Sequence, residues 1–159
     1  MRIGILTISD LGAVGQRADT SGDAILDWAV EHGYEVVVRS VVADETDRIG
    51  GKLTRWADSG EVDVVLTTGG TGLTARDVTP EATAAILDRE AVGIAEALRA
   101  ASGPTFPRAW LSRGRAGTRG KTLIVNLPGS TSGVKDGLAV LETFLDHAVD
   151  LIGGAASHA

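Results

Sequence analysis

Glycine, hydroxyl and carboxylate residues crowd together in Thr67-Thr68-Gly69-Gly70-Thr71-Gly72-Leu73-Thr74-Ala75-Arg76-Asp77-Val78-Thr79-Pro80. Glycines at 69, 70 and 72 let the backbone approach a ligand closely and turn its N–H groups inward, a device suited to phosphate. The stretch is not a dinucleotide fingerprint, because the G-x-G-x-x-G spacing is missing. Nor is it a Walker loop, because no Gly-Lys-Ser/Thr follows. Alone, it could equally be an ordinary Gly-rich turn. A second junction of similar character, Pro128-Gly129-Ser130-Thr131-Ser132-Gly133, shifts the balance. A helix starting there would turn its partial positive charge toward an anion. Two such junctions on one rim suit a ligand with phosphates at both ends.

Asp44 and Asp77 are the candidate metal carboxylates. Each could instead cap a helix or a turn. Taken together they match Mg²⁺, which is commonly held by one or two carboxylates, waters and substrate phosphates. Arg76, Arg113 and Lys135 are candidates for neutralising phosphate charge, although most such cations are simply solvated. His32, His147 and His158 show no metal-ligand spacing. Trp28, Trp56 and Trp110 fall on packing faces and read as core rather than stacking platforms.

These residues need a scaffold, and the apolar pattern supplies one. Strands are predicted over 3–8, 34–42 and 62–67, with helices over 20–30 (capped by Thr20 or Ser21 and closed at Gly33) and 47–58. Strand-helix alternation at this spacing implies right-handed parallel crossovers. Thr79-Pro80-Glu81 opens a further helix, with Thr79 as N-cap, and another covers 94–101. Strands over 108–112 and 122–127, joined by the polar turn 113–121, predict an antiparallel hairpin. A single long helix is predicted over 134–152, with 153–159 a frayed tail. The predicted fold is α/β: a three-layer sandwich, mostly parallel, with one antiparallel hairpin strand and helices on both faces. In such sheets ligands bind beyond the carboxyl ends of the strands. Those ends carry Ser9 and Asp10, Asp44, Gly69-Gly70-Thr71-Gly72, and Asn126-Leu127-Pro128-Gly129-Ser130.

Composition narrows the function classes. With 159 residues the chain fits one domain, over 1–159. It is 43% apolar but only 4% aromatic, so Val, Ile, Leu and Ala must build the core. It has no cysteine, which excludes thiolate chemistry and disulfides. A formal charge of −6 gives no general grip on nucleic acid, and the apolar runs are far too short to span a membrane. The first strand begins almost at Met1 with no signal peptide before it, so the expected location is cytoplasmic.

The run from Gly69-Gly70-Thr71-Gly72 through Asp77-Val78-Thr79-Pro80-Glu81-Ala82-Thr83 resembles the molybdopterin-binding Mog/MoaB family. So do Ile8-Ser9-Asp10, residues 19–22, Val42-Ala43-Asp44-Glu45, Leu111-Ser112-Arg113 and Gly120-Lys121-Thr122-Leu123-Ile124-Val125-Asn126-Leu127-Pro128-Gly129-Ser130, in order along the chain. The resemblance implies a trimeric α/β protein that transfers AMP from ATP to the phosphate of molybdopterin with Mg²⁺. It implies that Asp44 and Asp77 are the essential carboxylates and metal ligands. Ser9, Asp10, Thr71, Ser102 and Ser112 become substrate contacts. Gly69, Gly70, Gly72, Asn126, Pro128, Gly129 and Ser130 become nucleotide and phosphate contacts. A molybdenum insertase is an implied partner. Two departures stand out: Thr131-Ser132-Gly133 replaces a Pro and Lys common in relatives, and Ala91-Val92-Gly93 replaces a Pro-containing turn. The resemblance leaves open a pterin carrier without catalysis, or the related insertase or nucleotide-hydrolysing type. The absence of an extra domain is expected to disfavour the insertase.

Overall fold

The computed structural model describes residues 1–155. A six-stranded sheet has the order β2-β1-β3-β6-β5-β4, formed by β1 (Arg2–Ile8), β2 (Glu35–Val42), β3 (Val64–Thr68), β4 (Arg89–Glu90), β5 (Ala116–Arg119) and β6 (Thr122–Leu127). β2, β1, β3 and β6 run parallel. β5 alone is reversed, pairing antiparallel with both β6 and β4. The helices are α1 (Asp10–Ala13), α2 (Thr20–Glu31), α3 (Thr46–Asp58), α4 (Thr79–Ile86), α5 (Val92–Ser102), α6 (Thr131–Leu141) and α7 (Leu145–Ile152). A 3-10 turn spans Pro107–Leu111.

The alternation of side chains along the strands builds two separate cores. Ile3 and Ile5 of β1, Val64 and Leu66 of β3, and Leu123, Val125 and Leu127 of β6 face α2, α5, α6 and α7. Leu6, Ile8, Val65 and Ile124 face the other way, against Ile49, Leu53 and Trp56 of α3 and Ala82 of α4. The three-layer α/β/α arrangement agrees with the sequence reading. Each fully buried Ile or Leu contributes roughly 2 kcal/mol, so these two cores dominate stability.

Several local expectations change. The strand expected over 108–112 is instead the 3-10 turn Pro107–Leu111 followed by an extended Ser112, since Pro107 fixes a helical φ at its start. The hairpin partner of β6 is β5, inside the expected polar turn, and it turns back at Gly120 with φ +55°. Gly117 sits mid-strand there, because a Cβ would run into the Arg89 carbonyl of β4. The long C-terminal helix breaks at 142–144, where the Thr143 hydroxyl donates to the Val140 carbonyl (2.7 Å). Phe144 at φ −143° starts α7 in a new direction. Asp19, not Thr20 or Ser21, caps α2 by accepting from the Gly22 N–H (3.0 Å). Gly33 has φ +72°, the left-handed closure predicted for it. Thr79 is the first residue of α4 rather than its cap; its hydroxyl donates to the Gly69 carbonyl instead. Trp28 and Trp56 are buried, but Trp110 is 53% exposed, lying flat on Gly103. Within the tail, Gly153 to Ala155 carry hydrogen bonds back to α7, while His158 and residues 156–159 lie outside the described residues.

Candidate active site

The sheet reverses its winding between β1 and β3, and the loops leaving these strands meet there. Gly69 has φ +98° and its Cα faces the Ile8 carbonyl so closely that no Cβ fits. Gly70 has φ +67°, and a Cβ there would strike the Thr79 hydroxyl and lie 3.2 Å from Asp44 Oδ1. From the third direction, a Cβ on Gly129 would come within 3.4 Å of Gly69 Cα. The glycines therefore allow three loops to close on one point.

Two cavities adjoin at that point, sharing Gly70, Asp77 and Gly129. The larger, of about 580 Å³, is mainly apolar: Ala95, Leu98, Phe106, Ala109 and Leu111 line it, together with Thr71, Gly72, Ser102, Ser112, Asn126, Pro128 and Ser130. The smaller, of about 360 Å³, is polar: Ser9, Asp10, Arg17, Asp19, Ser21, Asp44, Thr68 and Gly69 line it. The carboxylates, hydroxyls, glycines, Asn126 and Pro128 singled out in the sequence thus all border one of these two adjoining cavities.

Asp10 and Asp44 sit in opposite electrostatic settings. Asp10 and Asp44 exchange backbone bonds: the Asp10 N–H donates to Asp44 Oδ2 and the Asp44 N–H to Asp10 Oδ1, both at 2.9 Å. Arg76 grips Asp10 through Nε (3.0 Å) and Nη2 (2.8 Å). That hydrogen bond, aided by the Asp44 amide, holds the Asp10 carboxyl below its usual range. Asp44 shifts the opposite way, pushed up first by burial, with the charges of Asp10 and Asp77 adding to it. Among the described residues neither Asp44 nor Asp77 has a salt-bridge partner. Asp77 Oδ2 accepts from the Thr74 N–H (3.0 Å) and hydroxyl (2.9 Å), so Asp77 does hold a turn as well as line both cavities.

Arg113 is a fastener rather than a free cation. Its Nε donates to the Gly72 carbonyl and its Nη2 to the Asp77 carbonyl, both at 2.8 Å, while Nη1 meets Glu81. The guanidinium thereby spans the loop that carries Asp77. Arg99 does the same for residues 112–114, donating to the Ser112 (3.1 Å) and Gly114 (3.0 Å) carbonyls. Arg76 is tied to Asp10, and Lys135 borders a depression beside Trp28 and Glu142 between α2 and α6, away from the groove. Of the three cations expected to neutralise phosphate, Arg76 and Arg113 are thus already engaged and Lys135 lies elsewhere.

Not every residue named from the sequence offers a side chain. Asn126 is buried, its amide donating to the Thr67 (3.0 Å) and Thr83 (3.1 Å) hydroxyls and its carbonyl accepting from the Arg115 N–H (3.0 Å). The Ser9 and Ser130 oxygens cap α1 and α6. Thr71, only 6% exposed, makes no side-chain bond with another described residue and opens on the apolar cavity. Sequence reasoning passed over Arg17, Ser21, Arg108 and Asp136, which also line the groove. The one signal for Ser21 is its place in Asp19-Thr20-Ser21-Gly22, where helix capping absorbs attention.

A family model described as a probable molybdopterin binding domain matches residues 4–147. The chain is 38% identical to molybdopterin adenylyltransferase of Helicobacter pylori, over 97% of this chain and 89% of that protein. It is 42% identical to molybdenum cofactor synthesis protein cinnamon of Drosophila melanogaster over 97% of its length, but spans only 26% of that relative. The solved structure of the molybdopterin biosynthesis enzyme MoaB from Thermus thermophilus superposes with a TM-score of 0.91 at 47% identity, covering 96% of each chain. The chain belongs to the molybdopterin-binding domain family, and its two adjoining cavities lie where that fold opens at the ends of its parallel strands.

Proposed function

We propose that this protein is a molybdopterin adenylyltransferase of molybdenum cofactor biosynthesis, transferring AMP from ATP to the phosphate of molybdopterin. The observation that carries the reading is the continuity of an apolar cavity with an acidic one across Gly70, Asp77 and Gly129. One compartment suits a flat heterocycle and the other suits a polyphosphate with its cation. A molybdopterin phosphate oxygen forms the new bond to the α-phosphorus, the bond from that phosphorus to the β-phosphate oxygen breaks, and its electron pair leaves on diphosphate. The attacking oxygen is already anionic, so positioning and charge neutralisation, not a general base, set the rate.

The donor set fits Mg²⁺. Asp44 Oδ1 and Asp77 Oδ1 have no protein donor among the described residues, and the Asp44 carboxyl, raised first by burial and then by the charges of Asp10 and Asp77, is one whose ionised form a cation would favour. Among the described residues no group of three or more acidic or histidine side chains is arranged as a full metal cage, so phosphate oxygens and water would complete the sphere. When bound, the ion would offset charge on the phosphates and on the departing diphosphate. The chain's own part is to hold these two carboxylates against the glycine loop, through Arg113 on one side and the Asp10 amide on the other.

The same reading extends to assembly and setting. Val92 and Trp110 are exposed apolar residues outside the two cavities, which subunit packing in a homotrimer would cover. An insertase that accepts the adenylylated product is the implied partner, with the cytoplasm as location; no helix among the described residues is long and apolar enough to cross a membrane. Calorimetric titration tests the enzyme reading: ATP should bind only with Mg²⁺, and pterin binding should survive chelation. No ATP binding at millimolar nucleotide would leave a carrier.

A further inference from the structure

Ser21 lies in the first turn of α2 and is 7% exposed, yet its hydroxyl has no hydrogen-bond partner among the described residues. Among the described residues every sealed side-chain oxygen and nitrogen does have a partner. The Ser21 oxygen is therefore not sealed, and the space it opens on is the polar cavity it lines. Buried hydroxyls are normally paired, so one left facing a cavity marks a ligand position. Its neighbours are engaged elsewhere: the Thr20 hydroxyl accepts from Thr131 (3.2 Å), and the Asp19 carboxylate caps Gly22 while Arg39 neutralises it at 3.0 Å.

Arg17 borders the same cavity and makes no ion pair among the described residues, unlike Arg76, which Asp10 holds. A hydroxyl donor, an unengaged guanidinium and the amide end of a 12-residue helix thus converge on the side of the cavity bounded by α2, with Asp44 and Asp77 also on its lining. Building on the nucleotidyl-transfer reading, we propose that the first turn of α2, through the Ser21 hydroxyl and the Arg17 guanidinium, seats the β- and γ-phosphates of the nucleotide and holds diphosphate as it leaves. The α-phosphate would then lie at the shared point by Gly70 and Gly129, with the adenosine and pterin on the apolar side.

Inorganic diphosphate with Mg²⁺ is the probe, titrated calorimetrically into the full-length protein, with AMP as control. Ser21→Ala should weaken diphosphate about tenfold and Arg17→Ala about fivefold, from loss of one charge-assisted bond each, the latter fading with salt. AMP affinity should stay within about twofold in both, since neither side chain lines the apolar cavity. Ser21→Thr, which keeps the hydroxyl, should retain most of the diphosphate affinity and so separates a lost donor from a disturbed helix. Unchanged diphosphate affinity in both Ala variants overturns the site, even if the protein adenylylates molybdopterin. The predicted losses in a protein that makes no adenylylated pterin would support the site while removing the transfer reading.

Discussion

Arg113→Ala should detach the loop that presents Asp77. In the native protein the guanidinium gives two charge-assisted bonds to the Gly72 and Asp77 carbonyls, both at 2.8 Å, and an ion pair to Glu81. Charge-assisted bonds contribute about 1.5–3 kcal/mol each, and the half-exposed Glu81 pair about 0–1 kcal/mol. The Arg113 side chain is 37% exposed, so water recovers part of this, leaving a loss of about 2–3 kcal/mol. For a domain of this size that lowers Tm by about 4–12 °C. The Arg113 N–H still donates to the Thr71 carbonyl (2.8 Å), so the fold should survive. Turnover should fall roughly 100-fold, because a carboxylate displaced by an ångström loses its place on the phosphates. Hydrogen exchange should quicken at residues 72–77 and stay unchanged in β1 and β3. Arg113→Lys reaches one carbonyl at most and should fall between. Native Tm, exchange and turnover in Arg113→Ala would refute the fastening role.

Four further outcomes follow from the same geometry. Asp77→Asn should cost roughly 100-fold in turnover with pterin binding nearly intact, since an amide keeps the Thr74 bonds but not the charge; wild-type turnover would reduce Asp77 to a turn residue. Asp44→Asn should be as inactive yet raise Tm at neutral pH. The folded state raises the Asp44 carboxyl above its unfolded value, so its contribution to stability declines as pH climbs through that interval, and the amide removes the cost; an unchanged or lower Tm contradicts this. Tyr34, the one tyrosine, is pushed up to about 12 by burial and by its hydrogen bond to Asp146, so absorbance at 295 nm should show no phenolate near pH 10, and a midpoint there would contradict the packing. Sedimentation at micromolar concentration should give a trimer, and a stable monomer would refute the assembly.

The parts of the fold legible in the sequence are those where local pattern and tertiary role coincide. β1, β3 and β6 are apolar runs buried on both faces, and the glycines at 69 and 70 stand where positive φ is required. The misreadings share one cause, a tertiary contact overriding a local signal. Residues 108–112 carry strand-like spacing, but Pro107 and the packing of Trp110 on Gly103 wind them into a turn. β5 looks like a polar loop because Gly117 and the flanking charged and glycine residues outweigh the single β-branched Thr118, yet edge pairing to β4 recruits them. Helical periodicity runs through 142–144 without showing that Phe144 must turn inward against the first core. The candidate site is legible only as residue types at strand ends. That Asn126, Ser9 and Ser130 hold the frame, while Ser21 faces the cavity, depends on partners far away in the chain and has no local signature.

The most direct test of the central claim is incubation of the purified protein with molybdopterin and ATP, with and without Mg²⁺, followed by mass detection of the pterin. The account predicts adenylylated molybdopterin and an equal amount of diphosphate, formed only when both substrates and the metal are present. Molybdopterin recovered unchanged by a protein that binds it tightly would contradict it.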